Sequence, residues 1–280
     1  MFENIIFPRT PEFIKSQIQP LVDAKQDFEI QHGTYTTKLI KPTGKMVFSN
    51  VRFRPKVFVA ANMVKRDTTQ SEFGQHILSQ VHHKRNYANT QRAESFTADK
   101  VYNIDIKGAY GNCLYNSGLI TEGTYNYLMS LKKDERLPSV GMLARSHVKY
   151  HYREGACVDV ETFRAPTAEL FFYLIAEIDR IMREIQWILG NDFLFYWVDG
   201  VFFKDGTPAK KVSEVERYLT DLGYHYSYEL CNDFFFENVE GQCRILMQKN
   251  AEIKEWRFRD SNERDREISK MLHEFYEVNA

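Results

Sequence analysis

The stretch Phe193-Leu194-Phe195-Tyr196-Trp197-Val198-Asp199-Gly200-Val201-Phe202-Phe203 decides how this chain is read. Apolar runs flank Val198-Asp199-Gly200, which predicts a hairpin of strands Phe193–Trp197 and Val201–Lys204 with an acid at its turn. A second apolar strand, Val101-Tyr102-Asn103-Ile104-Asp105-Ile106, also closes on an aspartate and runs into Lys107-Gly108-Ala109-Tyr110. An ionised carboxylate in a hydrophobic run is expensive to bury unless a cation compensates it. Two of them, on strands that a long intervening helix can bring side by side, point to a divalent-metal site for phosphoryl transfer. Asp-Gly is also an ordinary turn dipeptide, whereas Asp105, between two isoleucines, needs some partner.

The intervening helix is predicted over Pro166–Gly190. Phe171, Leu174, Ile175, Ile178, Ile181, Met182, Ile185, Ile188 and Leu189 form one stripe at 3- and 4-residue spacing, and Gly190 is a natural stop. Further helices are expected at Pro11–Lys25, Glu72–His83, after Gly108–Gly111, at Thr121–Lys133, Pro208–Leu222 and Ser261–Val278. Met46–Met63 reads as strands through Val47, Phe48, Val51, Phe53, Val57, Phe58 and Val59. Val148–Val160 reads as a hairpin turning at Glu154-Gly155, and Tyr224–Leu230, Phe234–Val239 and Gln242–Gln248 read as three more strands. This order describes an α+β fold, an antiparallel sheet backed by helices.

The chain has 280 residues, enough for one large domain or two small ones, and its net charge of −1 does not advertise a nucleic-acid binder. Local patches can still bind phosphate, and His82-His83-Lys84-Arg85 with Arg92 is one such basic stretch. The 21 Phe and 16 Tyr can fill a sheet core or stack on bases. The four cysteines form no CxxC pair, which suits a reduced, cytoplasmic protein without a zinc knuckle. No run approaches the roughly 18 apolar residues of a membrane span, and the N-terminus has no apolar signal core, so no membrane is expected.

Asp105-Ile106-Lys107-Gly108-Ala109-Tyr110 resembles motif A of family B DNA polymerases, Asp-x-x-[Ser/Ala/Gly]-[Leu/Ala]-Tyr-Pro. Tyr196-Trp197-Val198-Asp199-Gly200-Val201-Phe202-Phe203 resembles their motif C, Tyr-x-Asp-Thr-Asp-Ser-Val-Phe-Phe, and the helix leading into it resembles that of the protein-primed phage and plasmid subgroup. The resemblance covers about residues 100–255, the palm. It implies a palm-like catalytic domain over 100–255 with a short fingers-like insertion near 117–147. Residues 1–99 would be a mixed α/β extension, too short for a proofreading domain, and 256–280 a C-terminal helix. Asp27-Phe28-Glu29 mimics an exonuclease Asp-x-Glu, but such tripeptides are common.

The resemblance implies a DNA polymerase or nucleotidyltransferase working on a DNA primer-template and deoxynucleoside triphosphates, in a host's cytoplasm if viral. Asp105 and Asp199 would be catalytic and hold two Mg2+ or Mn2+ ions, with the Ile106 backbone carbonyl as a further ligand. Tyr110 would lie beneath the incoming sugar. Lys133 and Arg136, with Lys132 and Arg145 nearby, would meet the triphosphate, and Gly200 and Lys249 the primer terminus. Further replication subunits would supply proofreading or processivity. The chain departs from the pattern: Trp197 stands where motif C has its first Asp, Gly111 replaces Pro, and Leu137 and Val140 replace the Asn and Tyr of motif B. Those departures also suit a palm-like DNA-binding or assembly subunit that has lost chemistry. A reverse-transcriptase-like palm is the third reading, although Gly200 then occupies the place of an Asp.

Overall fold

The computed structural model describes residues 6–33, 36–49, 55–80, 94–239, 242–249, 252–258 and 268–273. The chain divides into two compact units, 1–55 with 144–168 and 260–280, and 56–143 with 169–259. This differs from the expected divisions near 100 and 255. Each unit is organised by its own six-stranded sheet, and the chain enters the first unit's sheet twice.

The chain opens with β1 (Ile6–Phe7), α1 (Pro11–Asp23), β2 (Phe28–Gly33), β3 (Thr36–Lys41) and β4 (Gly44–Ser49). Thr10 caps α1 by accepting the Phe13 N–H, and Pro11 follows at the first helical position, where its missing N–H is of no consequence. The strands predicted through Met63 end at Ser49, and Pro55–Gln70 is helix α2. Val57, Ala60, Ala61, Val64, Asp67 and Thr68 are its buried residues, at helical spacing, while Phe58 and Val59 are exposed. The local β-branched run suggested a strand, and packing on one stripe overrides that preference. Next come α3 (Glu72–Leu78), β5 (Phe96–Ile106), α4 (Ala109–Asn116), α5 (Glu122–Ser130) and α6 (Lys133–Gly141). The single helix expected over Thr121–Lys133 is therefore broken, at an extended Leu131.

The predicted Val148–Val160 hairpin is β6 (Ser146–Arg153) and β7 (Ala156–Arg164), but it adds to the first unit's sheet, not to that of β5. That sheet runs β1-β4-β3-β2-β6-β7. Ile14, Ile18 and Leu21 of α1 share a core with Phe28, Ile30, Leu39, Phe48, Tyr150 and Tyr152, and with Ile268 and Leu272 of the helical residues 268–273. The rest of the C-terminal helix expected over Ser261–Val278 lies outside the described residues, as do His82, His83, Lys84, Arg85 and Arg92.

The remaining elements are α7 (Ala168–Leu189), β8 (Phe193–Trp197), β9 (Gly200–Lys204), α8 (Ala209–Asp221), β10 (Tyr226–Val239), β11 (Gln242–Lys249) and β12 (Glu252–Phe258). The two strands expected over 224–239 are one, β10. Asp233, at φ 46°, makes a bulge that shifts the register towards β11 while pairing with β5 continues. The second unit's sheet runs β12-β11-β10-β5-β9-β8, antiparallel throughout. Alternation gives its faces different tasks. Ile104, Ile106, Val201 and Phe203 join a core with Leu174, Ile178, Ile181 and Ile185 of α7 and Val215 and Leu219 of α8. Val101, Phe195, Phe202, Cys231, Phe234 and Phe236 pack together on the opposite face, with Phe195 and Phe202 ring centres 4.5 Å apart. The fold is α+β, with antiparallel sheets backed by helices. No helix among the described residues is long and apolar enough to cross a membrane.

Candidate active site

Asp105 is the penultimate residue of β5 and pairs in register with Gly200 of β9 and Ser227 of β10. Its neighbours Ile104 and Ile106 are buried on the helix-covered face, so Asp105 belongs to the other face, two residues along from Asn103. Asp199 occupies the two-residue turn between Trp197 and Gly200, which pair as the closing residues of β8 and β9. The ladder continues past the turn: the Ile106 N–H donates to the Asp199 carbonyl at 2.8 Å. Sheet register thus brings the two acids together.

The turn departs from ordinary hairpin chemistry. Val198 has φ 53°, in the left-handed region that β-branched side chains disfavour. The strand-to-helix turn after Asp105 is fixed differently. Gly108 takes φ 58° where a Cβ would lie 2.6 Å from Met129 Cε. Asn112 donates to the Lys107 carbonyl and accepts from the Tyr125 hydroxyl, pinning this turn to α5. Gly111 has its own reason for departing from proline: a Cβ there would stand 2.9 Å from Met129 Sδ.

Electrostatics link the acids directly. Burial and then the Asp105 charge push the Asp199 carboxyl up to about 6, against the opposing pull of Lys133 and Lys107. Lys107 Nζ lies 3.5 Å from Asp105 Oδ2. Two oxygens on the same face are buried and unpaired: Asn103 Oδ1 and Ser227 Oγ. Gly200 leaves space beside them, since a Cβ there would be 3.3 Å from Asn103 Oδ1 and 3.6 Å from Asp105 Oδ1.

One carboxyl whose ionisation its neighbour's charge opposes, beside orphaned neutral oxygens, is a donor set suited to a hard divalent cation. The residues therefore fit the metal that the resemblance implies. Among the described residues, no third Asp, Glu, His or Cys completes a group with both acids whose ligand atoms all lie within 4.8 Å of one another. Such a group exists in the other unit, at His151, Asp159 and Glu161. There, side chains already pair across the strands: Glu29 meets Lys149 at 3.2 Å and His151 at 3.3 Å.

The other predicted site residues fall at varying places. Lys133 begins α6 and acts on Asp199, and Arg136 is one turn further along the same helix. Lys132 is the residue before α6, whereas Arg145 belongs to the other unit. Tyr110 is half-buried at the start of α4, its ring stacked on Phe171 at 6.1 Å. Lys249 ends β11, in register with Glu252. Asp27 is held by Arg153 and the Glu154 N–H, a structural role for the exonuclease-like tripeptide. Lys107, Asn103 and Ser227 are site residues that motif reading passes over. The first two carry a signal all the same, because 103 and 105 alternate along β5 and 107 follows two residues on, in the turn. Compared with known proteins, the chain matches no protein-family model and no curated protein.

Proposed function

We propose that this chain is a nucleotidyltransferase of the DNA-polymerase type, adding deoxynucleotides to a primer 3′-hydroxyl. One observation carries the reading: Asp105 and Asp199 meet at the end of an antiparallel sheet, on the face opposite the one that α7 and α8 cover, and the charge of one disfavours ionisation of the other. Mg2+ or Mn2+, when bound, would activate the 3′-hydroxyl and neutralise the departing pyrophosphate. Asp105, Asp199 and the Ile106 carbonyl are the groups to hold the ions.

The surrounding residues have tasks of their own. Lys133, which already acts on Asp199, faces the site with the charge a triphosphate needs, and Arg136 extends that charge along α6. Gly200 gives a primer terminus room to approach the acids. Tyr110, braced by Phe171, lies beneath the sugar. DNA and deoxynucleoside triphosphates are the partners, in the cytoplasm of the cell or host, with other subunits supplying proofreading and processivity.

Primer extension with Mg2+ or Mn2+ tests this. Wild-type protein extends a primer, and Asp105→Ala and Asp199→Ala each lose on the order of a hundredfold or more. Absent extension, or extension that survives both substitutions, removes the proposal. A second reading has its own support: Trp197 in place of an acid, and Lys107 already beside Asp105, suit a palm-like DNA-binding subunit without chemistry. It predicts DNA binding that needs no divalent ion and is unchanged by either substitution.

A further inference from the structure

Among the described residues no third carboxylate joins the acid pair, yet two neutral oxygens beside it are buried and neither has a partner. Asn103 is only 4% exposed, on the central strand of its sheet, and its Oδ1 has no hydrogen bond. Ser227 Oγ, on the residue opposite Asp105 in β10, is buried and unpaired as well. Interior polar atoms are nearly always satisfied, so two orphans flanking one acid call for a cause.

Their placement supplies it. Asp105 Oδ2 is approached by Lys107, while Asp105 Oδ1 and Asn103 Oδ1 both border the space over Gly200. Two acceptors turned to one small space repel each other unless something positive lies between them. Gly200 keeps that space clear, because any larger side chain would project into it. Hard divalent cations take carboxylate, amide and hydroxyl oxygens together.

Building on the metal-binding reading above, we propose that Asn103 Oδ1 and Ser227 Oγ are cation-binding groups of this site, standing in for the acid that Trp197 displaces. With Asp105 and Asp199 they offer two charged and two neutral oxygens, Asn103 Oδ1 at the space over Gly200 and Ser227 on the strand at the other side of Asp105.

Mn2+ binding to the purified full chain, followed by the electron paramagnetic resonance of free Mn2+ and by calorimetry, tests this without reference to catalysis. Asn103→Leu removes the oxygen at similar volume and weakens Mn2+ binding by about tenfold or more. Ser227→Ala weakens it in the same direction, and Asn103→Asp, which keeps an oxygen and adds charge, binds more tightly than wild type. Asp199→Asn separates the two claims. If wild type binds Mn2+ and Asp199→Asn does not, the acid site stands, and unchanged affinity in Asn103→Leu and Ser227→Ala then overturns this inference alone. If Asn103→Leu does not fold, Ser227→Ala and Asn103→Asp carry the same test, and Asn103→Asp binding no more tightly than wild type counts against it. Should wild type bind no Mn2+, the metal-binding reading itself falls.

Discussion

Asp105 stands opposite Gly200 in the pairing of β5 with β9, which sets the preceding residue, Asp199, under the negative charge of Asp105. The relationship is one of register. A slip of one residue between these strands would turn Asp105 into the helix-covered core and separate the acids. Ile104 and Ile106 on one side and Phe202 on the other favour this register, because each is buried in the observed pairing.

Asp199 sets a pH dependence with a definite sign. Its carboxyl is raised from 3.8 to about 6 in the folded state. The folded protein is therefore favoured below about pH 4, and this advantage is lost as pH rises through 6. Above that, ionised Asp199 costs about 2 kcal/mol after allowance for screening. Asp199→Asn is expected to raise the thermal midpoint by several degrees in chelator at pH 8 and to flatten the stability profile between pH 4 and 6. Thermal unfolding of both proteins over that range checks this, and a lower midpoint for Asp199→Asn at pH 8 contradicts it.

Val198 is the strained member of the same turn. Its φ of 53° costs about 1–3 kcal/mol for a β-branched residue, whereas glycine adopts it freely. Glycine also loosens the unfolded chain, by about 0.4–1 kcal/mol. Val198→Gly is then expected to stabilise the protein by about 1 kcal/mol in urea denaturation. A clear destabilisation would show that the valine side chain contributes more through contacts than it loses through its backbone.

These two turn residues also show what sequence can disclose. The hairpin was legible because apolar runs flank a turn dipeptide, and Asp105 because an acid inside an apolar strand stands out. Asn103 and Lys107 were open to the same logic of alternation. Ser227 was not, since its place beside Asp105 depends on pairing between strands far apart in sequence. The sequence of α2 invites a strand because Val57-Phe58-Val59 is locally strand-like, and only the core decides which of the three is buried. The β6–β7 hairpin was recognised as a hairpin, but no local signal says which sheet an antiparallel pair will extend.

Asp67 anchors α5 and offers a prediction away from the site. Burial alone would raise its carboxyl, but hydrogen bonds from the Thr124 and Thr121 hydroxyls, the Thr121 N–H and Arg66 outweigh this and lower it to about 2. The stability it contributes is present above about pH 4 and is lost as pH falls towards 2. Asp67→Ala leaves the N–H and hydroxyl of Thr121, the residue that caps α5, without their acceptor, at a cost of about 2–3 kcal/mol. Urea denaturation at pH 7 should show that loss, and the difference from wild type should shrink below pH 4. A difference that persists unchanged at pH 2 would mean that packing, not the charged acceptor, is what Asp67 supplies.

Gly200→Ala isolates the space between the acids. The residue lies outside the positive-φ region, so alanine meets no backbone penalty there. The added methyl instead stands 3.3 Å from Asn103 Oδ1 and 3.6 Å from Asp105 Oδ1, a contact that small side-chain shifts can absorb. Stability should therefore change by no more than about 1 kcal/mol. Function should not be so tolerant, because the methyl fills the place where these oxygens converge and where a primer terminus would approach. Primer extension and Mn2+ affinity are both expected to fall by about tenfold or more, with the urea midpoint nearly unmoved. Full activity in Gly200→Ala would show that the reacting groups do not use this space, and the chemistry would have to be sought elsewhere along the β5–β9 ladder.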